Sequence, residues 1–124
     1  MSRMTVVGNL TRDPELSFTN KGTPLCKATV ADSWRANKDA DEEVSFIDVT
    51  LWGTLAENFA DLRKGNRVFV EGRIRQENWE TDDGQKRSKL KLVAESAGPD
   101  LRFTKVTLTN VGKRTVSDPD DSPF

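Results

Sequence analysis

Three observations in the sequence predict an all-β domain with one helix. Several short runs alternate apolar and polar residues with the period of two that a half-buried strand requires. Turn-forming clusters, Asn20-Lys21-Gly22, Asp82-Asp83-Gly84 and Gly98-Pro99, punctuate those runs. One stretch alone, Thr54 to Lys64, switches to helical spacing. The chain has 124 residues, enough for one domain around one core.

Taken in order, Thr5 to Leu10 is the first strand, broken by Asp13-Pro14. Leu25 to Ala31 is the second, with Cys26, Ala28 and Val30 on one side and Lys27 and Thr29 on the other. Residues 35–43 are polar and aperiodic, which predicts a mobile loop. Val44 to Trp52 is the third strand: Ile47, Val49 and Leu51 make an aliphatic face, and Phe46, Asp48, Thr50 and Trp52 make the opposite one. In the predicted helix, Thr54 and Glu57 have capping-box spacing, and Leu55, Phe59 and Leu62 form an apolar stripe. Arg63 and Lys64 complement the dipole at its end, and Gly65 stops it. Val68 to Trp79 is the fourth strand, with Val68, Val70 and Ile74 facing one way and Phe69, Arg73, Arg75 and Trp79 the other. After the Asp82-Asp83-Gly84 hairpin turn, Lys86 to Ala94 returns, Leu90, Leu92 and Ala94 opposing Lys89 and Lys91. Leu101 to Val111 is a further extended segment. Three strands, a helix and two strands is the order of the OB-fold, a five-stranded Greek-key barrel with its helix between strands three and four. We place that domain at 1–112 and a disordered acidic tail at 113–124.

Composition excludes several function classes. There is no histidine, which removes imidazole acid–base chemistry and most zinc sites. No phosphate-binding Gly-rich loop occurs. We expect no enzyme, no cofactor and no metal. No apolar stretch approaches the roughly 20 residues of a membrane span. The N-terminus lacks a secretory apolar region, and the single Cys26 forms no internal disulfide; both predict a cytoplasmic protein. The formal net charge is −1, but residues 115–124 hold Asp118, Asp120 and Asp121 and no base. The remainder has 19 basic and 17 acidic residues, a charge of +2. Distribution, more than the sum, decides what such a surface attracts.

The polar faces carry the candidate site. They present Trp34, Phe46, Trp52 and Trp79 among Lys27, Arg35, Arg73, Arg75, Lys86, Arg87, Lys89 and Lys91, with Trp34 and Arg35 at the polar loop. Bases need flat apolar partners for their π-faces, and phosphates need cations; a strand face with both suits a single strand. A duplex hides its base faces. A single aromatic on a strand more commonly belongs to a core, and surface ion pairs absorb cations. The residues by themselves therefore leave open an RNA-binding OB domain, and a protein-interaction adaptor on the same fold.

Gly8-Asn9-Leu10, Asp13-Pro14-Glu15, Asn20 to Thr23, Leu51 to Glu57, Lys64-Gly65, Val70 to Arg73, Trp79, Asp83 to Gln85 and Arg87 together resemble the bacterial single-stranded DNA-binding protein family over roughly residues 3–104. The resemblance implies an OB-fold, binding and protection of single-stranded DNA in replication, recombination and repair, a homotetramer, and a nucleoid-associated location. It implies stacking roles for Trp34, in the loop after the second strand, for Phe46, where many members have Trp, and for Trp52 and Trp79. Trp52, where many have Phe, resembles actinobacterial members. Ile47 stands where many have His. The segment 101–112 resembles an extra strand that clamps subunits in some relatives. The end, Asp118, Asp120, Asp121, Pro123 and Phe124, resembles the family's acidic tip, which recruits replication, recombination and repair proteins. A terminal ring beside its carboxylate suits a pocket edged by basic groups. Ser122 replaces the usual apolar residue there, and about 12 residues from Lys113 reach at most ~40 Å.

Overall fold

A computed structural model describes residues 2–110. Alternation in five of the six strands turns one face of each toward a common interior. The elements are β1 (Arg3–Leu10), β2 (Glu15–Phe18), β3 (Pro24–Trp34), β4 (Glu43–Trp52), α1 (Thr54–Phe59), β5 (Arg67–Glu80) and β6 (Lys86–Pro99). β1 pairs with β5, β5 with β6 and β3 with β4, all antiparallel. β4 and β6 are parallel neighbours through Val49–Leu92 and Thr50–Val93. β1 then meets β3 through Asn9–Ala31 and Leu10–Val30. The pairings thus form a ring of five strands, β1-β3-β4-β6-β5, with α1 between its third and fourth strands in chain order. This is the predicted OB architecture.

Inside the ring lie Val6, Leu10, Cys26, Ala28, Val30, Val49, Leu51, Val68, Val70 and Leu92. Each fully buried Val or Leu contributes roughly 1.5–3 kcal/mol relative to exposure. Ala56 and Phe59 of α1 join the same core, with Leu55 packed against it from the helix and Leu62 from just beyond the helix end. Two glycines permit the closure. A Cβ on Gly8 would lie 2.2 Å from the Ala31 carbonyl oxygen, where β1 leaves β5 for β3. One on Gly72 would lie 2.0 Å from the Val93 oxygen, beside an irregularity between Glu71 and Gly72. Glycine inside a strand marks such close backbone approach.

The structure departs from the sequence reading in five places. β2, which was not anticipated, pairs along β3 from Glu15–Lys27 to Phe18–Pro24, and the predicted Asn20-Lys21-Gly22 turn joins the two. The helix ends at Phe59 instead of Lys64, and its N-cap is Gly53 with no side-chain cap bond, so Thr54 and Glu57 form no capping box. Beyond it, Arg63 donates its guanidinium to the Ala60 and Leu62 carbonyls, and Asn66 and Asp13 accept the N–H groups of Arg63 and Lys64. The local bonds of Arg63, together with the long-range bond from Lys64 to Asp13, replace the next helical turn. β6 continues to Pro99 because Glu95 is an extra residue between the pairs Gly72–Ala94 and Glu71–Ser96. Leu90, assigned to the apolar face, is 65% exposed, since β5 and β6 extend past the barrel there. Finally, residues 101–110 carry no strand, and Leu101, Phe103, Val106 and Leu108 are exposed. The tail 113–124, with Asp118, Asp120, Asp121, Pro123 and Phe124, lies outside the described residues.

Candidate nucleic-acid interface

The pleat sends every second residue of β4 to the outside of the barrel: Phe46, Asp48, Thr50 and Trp52. Register carries this outer row onto β3, where Ala31 faces Phe46, Thr29 faces Asp48, Lys27 faces Thr50 and Leu25 faces Trp52. Through Thr50–Val93 the same surface continues onto β6 and β5, where the outward pairs are Arg73–Val93, Arg75–Lys91, Glu77–Lys89 and Trp79–Arg87. Phe46, Trp52 and Trp79 therefore share one curved sheet face with Lys27, Arg73, Arg75, Arg87, Lys89 and Lys91. The three rings are 67%, 45% and 44% exposed, too open for core residues and available to a flat ligand.

Three predicted residues fall elsewhere. Trp34 closes β3 instead of lying in a loop, and by alternation it is on the side of Val30 and Ala28; it lies exposed beyond the core. Lys86 pairs with Glu80 on the reverse of the β5–β6 arm, although it borders, with Trp79 and Arg87, a pocket of about 390 Å³ at the tip. Arg35 follows β3 and forms an ion pair with Glu42 at 3.3 Å across the 35–43 connection. That connection contains a turn in which Asn37 accepts the N–H groups of Asp39 and Ala40.

The centre of the outer face is a groove of about 180 Å³. Arg12, Lys27, Lys89 and Lys91 line it, together with Thr29, Asp48, Thr50 and Glu77. Arg12 is an addition to the predicted cations. It follows β1 where the Leu10–Val30 pair and the bond from the Thr11 N–H to the Thr29 carbonyl bring the chain beside this face. Several cations already have carboxylate partners: Lys89 with Asp48 at 2.8 Å, Lys91 with Glu77 at 3.6 Å and Arg73 with Glu95 at 3.5 Å. Lys27, Arg75, Lys86 and Arg12 have no ion pair among the described residues. On the barrel's flank, Met4, Phe46, Ile47, Ile74, Leu90, Lys91 and Leu92 line a separate, mainly apolar groove of about 230 Å³. Among the described residues no helix is long and apolar enough to cross a membrane.

Fold and face together define an OB-fold binding protein with an exposed aromatic and basic sheet surface. The chain belongs to the single-strand binding protein family, whose sequence model it matches over residues 1–103. It is 41% identical over 106 residues to a single-stranded DNA-binding protein of Paenarthrobacter aurescens, covering 81% of this chain and 62% of that one. It is likewise 41% identical over 110 residues to that of Corynebacterium glutamicum (84% and 49%), and over 106 residues to that of Mycolicibacterium smegmatis (81% and 64%). The matched region thus spans about half to two-thirds of these relatives.

Proposed function

We propose that this protein binds single-stranded DNA with little sequence preference, and protects it during replication, recombination and repair, as a binding protein and not an enzyme. The observation that carries this reading is the set of exposed rings, Phe46, Trp52 and Trp79, on one sheet face among Lys and Arg side chains. Bases stack on the rings, and the cations neutralise phosphates and release counterions. Trp34, exposed at the end of β3 on the other side of the strand, adds a further ring beyond the edge of this face. The names of the relatives support DNA over RNA as the ligand.

Two further roles belong to the same proposal. The acidic segment Asp118 to Phe124 recruits replication, recombination and repair proteins, supported by its three aspartates beside the Pro123-Phe124 pair. The chain acts as a homotetramer at the nucleoid, in the cytoplasm; the apolar groove with exposed Leu90 is a surface available for self-association.

Tryptophan fluorescence tests the ligand directly, because the chain has three Trp, all exposed, and no Tyr. Quenching by oligo-dT that exceeds quenching by duplex and by equal-length RNA, with affinity falling as salt rises, is the expected result. Binding to none of the three would defeat the reading, and better binding to RNA would replace it.

A further inference from the structure

The middle of the outer face is not uniformly positive. Asp48 stands on β4 between Phe46 and Trp52, on their side of the strand. Its carboxylate accepts a hydrogen bond from Thr29 Oγ1 at 3.0 Å and one from Lys89 Nζ at 2.8 Å. The three residues come from β3, β4 and β6, so the carboxylate is held from both neighbouring strands. The Lys89 hydrogen bond, helped by the Thr29 hydroxyl and the charges of Lys89 and Arg12, keeps the carboxyl below the ordinary Asp range and therefore ionised at neutral pH. Glu77 lines the same groove, beside Lys91. Two of the groove's four cations are thus already matched by carboxylates.

A phosphate laid over this centre must compete with the Asp48 carboxylate for Lys89, whereas an uncharged base does not. We infer that Asp48 is a specificity-determining residue that makes the middle of the platform accept bases and turn away phosphates. A single strand can present its bases to Phe46 and Trp52 and leave its backbone to Arg12 and Lys27, the groove's cations without an ion pair among the described residues, and to Arg75 and Arg87 on β5 and β6. A duplex presents its phosphates outward, and over the Asp48–Lys89 pair they meet a carboxylate of like charge whose cation is already engaged. The device is repulsive discrimination against the wrong partner, and it rests on the single-strand reading above.

The test compares the full chain with Asp48→Asn and Lys89→Met, measuring affinity for oligo-dT and for a duplex of equal length over a series of salt concentrations. Thermal unfolding of each variant confirms the fold. Asparagine keeps the shape and can still accept the Thr29 hydroxyl, while Lys89 is released. Duplex affinity is expected to rise more than oligo-dT affinity in Asp48→Asn, narrowing the preference about fivefold or more. The duplex salt slope should steepen by about 0.9, the value for one more phosphate neutralised. Lys89→Met removes the carboxylate's ion-pair partner and leaves it the Thr29 hydroxyl, and should widen the preference. An unchanged preference in both variants overturns the inference while the single-strand reading stands. A parent chain that does not favour oligo-dT over duplex shows instead that the single-strand reading has failed.

Discussion

Trp52 and Cys26 face opposite sides of neighbouring strands, and their chemistry follows from that. Trp52 is outward and open on β4, so a base can lie on its ring. Replacing it with alanine should weaken oligo-dT binding by roughly 1–3 kcal/mol, the scale of one stacked base. Titration of the folded variant checks this, and unaltered affinity would remove Trp52 from the site. Trp34→Ala should cost less, because alternation puts that ring on the other side of the sheet. Cys26 is inward and fully buried. Burial pushes its thiol up to about 11 from an ordinary value of 9.0, with the nearby Glu15 charge adding to the effect. The native thiol should therefore resist thiol reagents until the protein unfolds; rapid stoichiometric labelling under native conditions would contradict this. The sign of the pH effect follows. A raised folded-state value gives stability that is complete below the unfolded thiol's value and is lost as pH rises toward about 11. Cys26→Ala should flatten that part of the alkaline unfolding curve.

At the level of elements, the barrel closes because β1 changes partners. It pairs with β5 from Arg3 to Asn9 and reaches β3 at Asn9 and Leu10. Gly8 sits at this bend, with no room for a methyl group against the Ala31 carbonyl. Gly8→Ala should lower stability by about 1–3 kcal/mol, the usual cost of forcing extra volume into a packed site. The urea midpoint reads this, and an unshifted midpoint would show that the strands part freely. At the other end, Arg67 and Asp100 form an ion pair at 2.8 Å, and the Asp100 N–H bonds to the Arg67 carbonyl, clasping the start of β5 to the end of β6. The free ends of β5 and β6 form an arm that carries Trp79 and Arg87 outward, past the core.

For the whole molecule, charge is divided between a +2 body and an acidic end, so a net charge of −1 is compatible with a DNA-binding face. The proposed roles are correspondingly separable. Deleting Pro123-Phe124 should leave oligo-dT affinity intact and abolish capture of replication proteins. Equal capture by both forms would refute the recruiting role of the tip.

Local pattern determined much of this protein. Alternation in Val44 to Trp52 separated Ile47, Val49 and Leu51 from Phe46 and Trp52, because a strand's period of two shows directly in the residues. The apolar stripe of Leu55, Phe59 and Leu62 was legible from its helical spacing, and the Asp82-Asp83-Gly84 turn from its turn-forming residues. Only the tertiary structure decided what depends on contacts between distant segments. Gly98-Pro99 marked the end of β6, but the Glu95 irregularity breaks its alternation and hid the pairing of residues 96–99. β2 is held by its pairing to β3 and has no apolar face in the core, so its own residues gave little signal. Arg12 and Thr29 belong to the site through register and one backbone bond, and Asp48 reads as an ordinary polar residue until Lys89 arrives from β6. Sequence spacing conveys which way a side chain points; which charges meet across the sheet is set by how the strands are paired.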